Sequence, residues 1–161
     1  MNETAPANYT PNFHIVLHQP EIPPNTGAVG RTCVALGCKL WLVRPLGFRV
    51  DQKTLRRAGL DYWQFLEWEV VDNWQALEEK LSGSQFWMFS KRAERIYTDV
   101  TFNKGDVLVF GSETSGLPDS LIHSDPQRAL RLPTRPQVRS LNLSATVAVA
   151  AYEATRQLGG I

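Results

Sequence analysis

Short apolar runs alternate along this chain with stretches of helical periodicity. Phe13-His-Ile-Val-Leu-His18 is rich in β-branched and aromatic residues and stops at Pro20, which predicts a first strand. A rigid Pro20–Gly27 loop with a cap signal at Asn25 or Thr26 leads into a helix expected from about Gly27 to Leu36 and ended by Gly37. Lys39–Val43 predicts a second strand, Arg44–Phe48 a basic loop, and Asp51–Ala58 a short amphipathic helix. A weak strand follows at Glu69–Val71, a helix near Trp74–Leu81, and strands at Gln85–Phe89 and Val107–Phe110. A late apolar run, Ala129–Leu132, breaks into a loop with prolines at 133 and 136. Order is expected to resume at Ser140, a good helix N-cap, and no proline or glycine interrupts Leu141–Leu158 before Gly159-Gly160. Such a succession predicts an α/β fold with a mainly parallel, buried sheet flanked by helices.

Length and composition agree with that picture. The 161 residues suffice for one domain with a real core, expected over residues 13–161 behind a flexible tail, 1–12. Hydrophobic content of 43% and charged content of 20% exclude a disordered chain. Net charge is only +1, but its distribution is uneven. Arg44, Arg49, Lys53, Arg56 and Arg57 cluster against Asp51, and Arg128, Arg131, Arg135 and Arg139 cluster without an acid. Segment 61–79 is acidic in turn. Segregated charge can form a local anion-binding face or can be plain solvated surface. Cys33 and Cys38 match neither a zinc knuckle nor a redox pair and read as buried free thiols. The first twelve residues lack a signal-peptide pattern, and no apolar run reaches membrane-spanning length. A soluble, cytoplasmic protein with no membrane partner is expected.

Several chemistries drop out. Neither G-x-G-x-x-G nor a Walker A sequence occurs, and Gly111-Ser-Glu-Thr-Ser-Gly116 lacks the glycine a hydrolase elbow needs. His14, His18 and His123 form no metal-ligand pattern, so no metal is expected; His14 and His18 share a strand face and read as structural. Three loops at C-terminal strand ends remain, 18–31, 111–118 and 132–144, the edge where open α/β sheets bind ligands. Gly111 lets the backbone approach a ligand closely and Gly116 permits a tight turn, or either is a plain turn glycine. Arg31 sits inside an apolar helix between Val29 and Cys33. It either snorkels to solvent or aims its donors at a phosphate or ribose.

Pro20-Glu-Ile-Pro-Pro-Asn-Thr-Gly27 with Arg31, Phe110-Gly-Ser-Glu-Thr-Ser-Gly-Leu-Pro118, and Arg131-Leu-Pro133 with Arg139-Ser-Leu-Asn-Leu-Ser144 resemble the three motifs of SPOUT-superfamily RNA methyltransferases. With Leu55-Arg-Arg-Ala-Gly-Leu-Asp-Tyr62 and the compact length, the chain is most similar to the TrmL (YibK) type, the tRNA wobble-position 2′-O-methyltransferases. The likeness covers about Phe13 to Gly159.

That resemblance implies a C-terminal deep trefoil knot, S-adenosylmethionine as methyl donor, and 2′-O-methylation of the wobble ribose, cytidine or 5-substituted uridine at position 34. The implied substrates are tRNA-Leu isoacceptors, met at the anticodon stem-loop by a homodimer whose active sites lie at the interface. A different tRNA or rRNA nucleotide, or a catalytically silent RNA-binding module, are the alternatives. By position, the cofactor contacts are Phe89, Gly111, Leu132, Ser140 and Leu141, mostly through backbone. Arg31 is the implied activator of the hydroxyl. A guanidinium is a poor base, so its expected role is to orient and to stabilise developing charge, with the proton acceptor unassigned. Asn25 and Glu113 are expected to fix Arg31 or the ribose, and Asn142 to shape the cofactor loop or only to cap the last helix. Tyr152 is expected near the RNA or dimer face, or in the core. Small Ala145, Ala148 and Ala151 would permit close helix approach at a dimer interface or in ordinary packing. Phe89, Ser112 and Ala28-Val29-Gly30 depart from the residues the family leads one to expect, without removing a reactive group.

Overall fold

A computed structural model describes residues 10–50 and 62–161. The helix expected over Asp51–Ala58, with Lys53, Arg56 and Arg57, therefore lies outside the described residues, as does most of the tail. The seven strands are β1 (His14–His18), β2 (Lys39–Val43), β3 (Trp68–Val71), β4 (Phe86–Phe89), β5 (Arg95–Ile96), β6 (Val107–Phe110) and β7 (Ala129–Arg131). They form one sheet in the order β3-β2-β1-β6-β4-β7-β5, and every pairing is parallel. Among the described residues four α-helices accompany it: α1 (Pro23–Leu36), α2 (Trp74–Lys80), α3 (Asp119–His123) and α4 (Leu143–Gln157).

Alternate residues of the central strands feed two cores, as a pleated strand requires. Ile15, Leu17, Leu40, Leu42, Leu108 and Phe110 pack with Val29, Cys33 and Leu36 of α1 and Val147, Ala150, Ala151 and Ala154 of α4. Val16, Trp41, Val43, Val107 and Val109 pack on the other face with Leu77 of α2 and Ile122 of α3. Both faces of β6 are covered, which is why Val107–Phe110 is uniformly apolar. Gln157 fastens the end of α4: its Oε1 accepts from the Phe102 amide at 2.8 Å and its Nε2 donates to the Val100 carbonyl at 3.0 Å. Both cysteines are buried and free, and burial pushes the Cys38 thiol up to about 12 and Cys33 well above its ordinary value.

Two helix starts differ from the sequence expectation. Helix α1 begins at Pro23, not near Gly27, and its N-cap is Ile22 rather than Asn25 or Thr26. Pro23 and Pro24 hold helical φ and have no N–H to satisfy, so this first turn needs no side-chain cap of its own. Helix α4 begins at Leu143 with Asn142 as N-cap, not Ser140. Asn142 Oδ1 accepts from the Ser144 and Ala145 amides, at 2.9 and 3.4 Å, and Ser140 stays exposed in the preceding loop. Strand β5 and helix α3, two and five residues long, carry too short a pattern to be read ahead.

His14 is structural, as its place on one strand face with His18 suggests. Trp41 Nε1 donates to His14 Nδ1 at 3.0 Å, a bond that needs the neutral ring, and Lys39 Nζ lies 4.0 Å from the Trp41 ring centre. Burial, and then the charge of Lys39, lower the His14 pKa to about 4. The unfolded chain therefore takes up a proton there below about pH 6.5, whereas the folded chain resists until about pH 4. This contribution to stability is full above the unfolded value and lost as pH falls between the two. Urea unfolding at pH 7 and pH 4.5 should show a loss that shrinks in His14→Gln. Equal pH dependence in the two proteins would contradict the assignment.

Candidate functional site

Strand register brings the three motif loops to one edge. Leu17 of β1 and Phe89 of β4 both align with Phe110 of β6, and Phe89 aligns with Leu130 of β7, so the loops that leave β1, β6 and β7 emerge at the same edge as the end of β4. The Phe89 and Phe110 rings stack at 4.7 Å between centres. Above them opens a cavity of about 420 Å³ whose wall includes Phe89, Gly111, Leu132, Ser140 and Leu141. All five residues expected at the methyl donor therefore share one cavity, with Asn25, Glu113 and Asn142 beside them.

Hydrogen bonds lock the first and second motifs together. Glu113 accepts from the Glu21 amide at 2.9 Å, the Ile22 amide at 2.8 Å and Asn25 Nδ2 at 3.2 Å. Its carboxylate thus holds, from another loop, the amides of the two residues that lead into α1. Glu21 reciprocates, accepting from the Thr114 amide and hydroxyl at 3.2 and 2.9 Å. These bonds, that from the Thr114 hydroxyl foremost, hold the Glu21 carboxyl below its ordinary pKa. Asn25, almost fully buried, links onward by accepting from Asn142 Nδ2 at 3.1 Å. One chain of bonds, Glu113–Asn25–Asn142, thereby joins all three motifs to the start of α4. Asn142 both caps the helix and braces the cavity wall. Asn142→Ala should cost about 1 kcal/mol of stability through the lost cap. It should also weaken cofactor binding, which calorimetric titration beside thermal unfolding would detect; unchanged affinity would separate the cap from the cavity.

Gly111 and Gly116 have distinct needs. Gly116 has φ of +67° and closes the turn through a bridge to Ser112, as a tight-turn glycine should. At Gly111 an added Cβ would lie 2.1 Å from the Gly116 carbonyl carbon and 2.2 Å from the Leu117 nitrogen. It is the chain's own backbone that passes there.

Arg31 stands apart from the cavity wall of its own chain. It is exposed on α1, with its guanidinium carbon 5.5 Å from the Tyr62 ring centre, and the Tyr62 hydroxyl donates to the Gly27 carbonyl of the same helix. Tyr152 is 50% exposed, which removes its core-packing alternative, and it shares an outer face of α4 with Ala145, Val149 and Arg156. Ala151, by contrast, is wholly buried in its own core. Among the basic residues, Arg44 pairs with Asp72 at 3.0 Å and Arg128 with Asp125 at 3.8 Å. Arg135 and Arg139 remain exposed on the loop beside the cavity, and Arg139 lines it. Ser90, Lys91 and Arg92 also line it. They belong to a fourth loop, just past β4, that the three-loop reading left out, although the position of Phe89 at a strand end already pointed there.

Comparison with known proteins gives the family and the fold. The SpoU rRNA Methylase family matches residues 12–152. A tRNA (cytidine(34)-2′-O)-methyltransferase of Methylovorus glucosotrophus is 46% identical over 146 residues, 90% of this chain and 95% of that one. A solved structure described as giving insight into the 2-OH methylation of C/U34 on tRNA superposes with a TM-score of 0.87 at 47% identity, covering 92% of this chain and 97% of that one. The fold also matches, with a TM-score of 0.79 at 22% identity, the SpoU methyltransferase AviRb of Streptomyces viridochromogenes in complex with AdoMet, over 97% of this chain and 63% of that one.

Proposed function

The chain belongs to the SpoU rRNA methylase family, and on that premise we propose that it methylates the ribose 2′-hydroxyl of the wobble nucleotide of tRNA, cytidine or 5-substituted uridine at position 34, with S-adenosylmethionine as donor. The observation that carries this reading is the meeting in one cavity of Phe89 at the end of β4, Gly111 from the loop after β6, and Leu132, Ser140 and Leu141 from the loop after β7. Its relatives in name and fold act on that nucleotide.

The cavity fits the cofactor. Its volume of about 420 Å³ suits a ligand of nucleoside size, and its wall is drawn largely from loop residues together with the paired Phe89 and Phe110. When bound, S-adenosylmethionine supplies a sulfonium methyl that a hydroxyl oxygen can attack. The protein's own task is then to hold donor and ribose in line and to stabilise charge as the hydroxyl loses its proton. Gly111, Leu132, Ser140 and Leu141 offer backbone groups, and Glu113 and Asn25 keep their loops in register.

Arg31 supplies the positive charge from an exposed position on α1, outside the lining of its own chain's cavity. A homodimer with its sites at the interface would present Arg31 to the partner's cavity. The same dimer would cover Val149 and Tyr152, 41% and 50% exposed on the outer face of α4. Exposed Arg135 and Arg139 stand where tRNA phosphates would approach. The expected knot is in keeping with the sheet order, in which late strand β7 lies inside, between β4 and β5, rather than at an edge. Among the described residues no helix is long and apolar enough to cross a membrane, and a tRNA substrate would place the protein in the cytoplasm.

Incubation with methyl-labelled S-adenosylmethionine and, separately, total tRNA and rRNA tests the reading. Label is expected in tRNA alone. Label confined to rRNA, or none in either despite measured cofactor binding, would overturn it.

A further inference from the structure

Arg92 lies in the cavity wall and takes no part in the chemistry described above. It stands three residues past the end of β4. Its Nη2 donates to the Leu117 carbonyl at 2.6 Å, and its Nη1 bonds Asp119. The Arg92 amide donates to Ser90 Oγ at 3.1 Å, and the Ser90 amide to the Leu130 carbonyl at 2.9 Å. The loop after β4 is therefore anchored on β7 on one side and reaches, through one guanidinium, the loop after β6 on the other.

What Arg92 grips is the peptide that follows the backbone closing over Gly111. The Gly116–Leu117 peptide is the one that a Cβ on Gly111 would strike. The Leu117 side chain is buried, so its carbonyl is held from inside by the core and from outside by Arg92. The two bonds of the guanidinium are unequal. The ion pair to Asp119 is exposed on both sides, and exposed pairs contribute little. The bond to the Leu117 carbonyl is partly buried and charge-assisted, which makes it the stronger of the two.

We propose that Arg92 is a positioning residue, which clamps the loop after β4 to the loop after β6 and so fixes the backbone cradle at Gly111 where the cofactor binds. The proposal rests on the cofactor reading above.

Arg92→Ala should weaken S-adenosylmethionine binding by about tenfold, the effect of losing one charge-assisted hydrogen bond. Turnover of tRNA at saturating cofactor should stay within about twofold, since no group beside the ribose is lost. In the cofactor-free protein, amide hydrogen exchange across 111–118 should quicken in the variant, a change that a side chain acting only by direct contact with the ligand would not cause. Arg92→Lys should recover part of the affinity, and Asp119→Ala should lose less than about twofold. Unchanged exchange in 111–118, or Asp119→Ala as damaging as Arg92→Ala, would overturn the clamp. If the wild-type protein binds no S-adenosylmethionine, the cofactor reading fails, and the exchange measurement alone still decides whether Arg92 holds the loop.

Discussion

Arg31→Ala is expected to lower turnover by about a hundredfold to a thousandfold, the usual effect of removing one preorganised stabiliser of transition-state charge. Cofactor affinity should stay within about twofold, because Arg31 is exposed on α1 and lines no part of its own chain's cavity. Stability should change little. The side chain makes a ring contact with Tyr62 at 5.5 Å, and an exposed contact of that kind is worth about 0.5–1 kcal/mol. Single-turnover kinetics with saturating cofactor isolate the chemical step. If turnover survives while binding weakens, Arg31 belongs to RNA or cofactor binding and the charge-stabilising role is wrong. The dimer expectation adds a further arm. When Arg31→Ala subunits are mixed with subunits disabled at the cavity, activity should return, because hybrid dimers would pair an intact Arg31 with an intact cavity.

Gly111→Ala is expected to abolish cofactor binding and to destabilise the fold by about 3 kcal/mol, the upper range for forcing extra volume into a packed place. The methyl would need the space of the Gly116 carbonyl carbon and Leu117 nitrogen, at 2.1 and 2.2 Å, and these are backbone atoms that cannot rotate aside. Leu117 is buried and its carbonyl is held by Arg92, so the turn has no free direction in which to yield. Denaturant unfolding and calorimetric titration measure the two effects together. A variant that binds the cofactor normally would show that the backbone at 111 is not part of the cradle.

Much of this was legible in the sequence, for physical reasons that also mark where legibility ended. Strands buried on both faces declare themselves, so β2 and β6 fall at their expected bounds, Lys39–Val43 and Val107–Phe110. The helix starts differ from a local reading because Pro23 and Pro24 open α1 without a side-chain cap and two cap residues compete before α4. Glu113 serves the start of α1 from ninety-one and ninety-two residues away, and no local pattern announces that. Asn142 prevailed over Ser140 because its side chain has both an acceptor for the helix amides and a donor for Asn25. The five cofactor positions came from the family resemblance, and their closeness in space rests on strand register. Arg92 and Asp119 are silent in the sequence, because a cation and a carboxylate twenty-seven residues apart carry no pairing signal until the strands bring them together.

The central claim is that this cavity directs a methyl group to one ribose oxygen. Purified tRNA methylated by the protein with labelled S-adenosylmethionine, then hydrolysed in alkali, leaves uncut the one linkage whose 2′-oxygen carries the methyl. The account predicts a labelled, alkali-resistant dinucleotide that begins at position 34. Label on a base, or a resistant linkage at any other position, would contradict it.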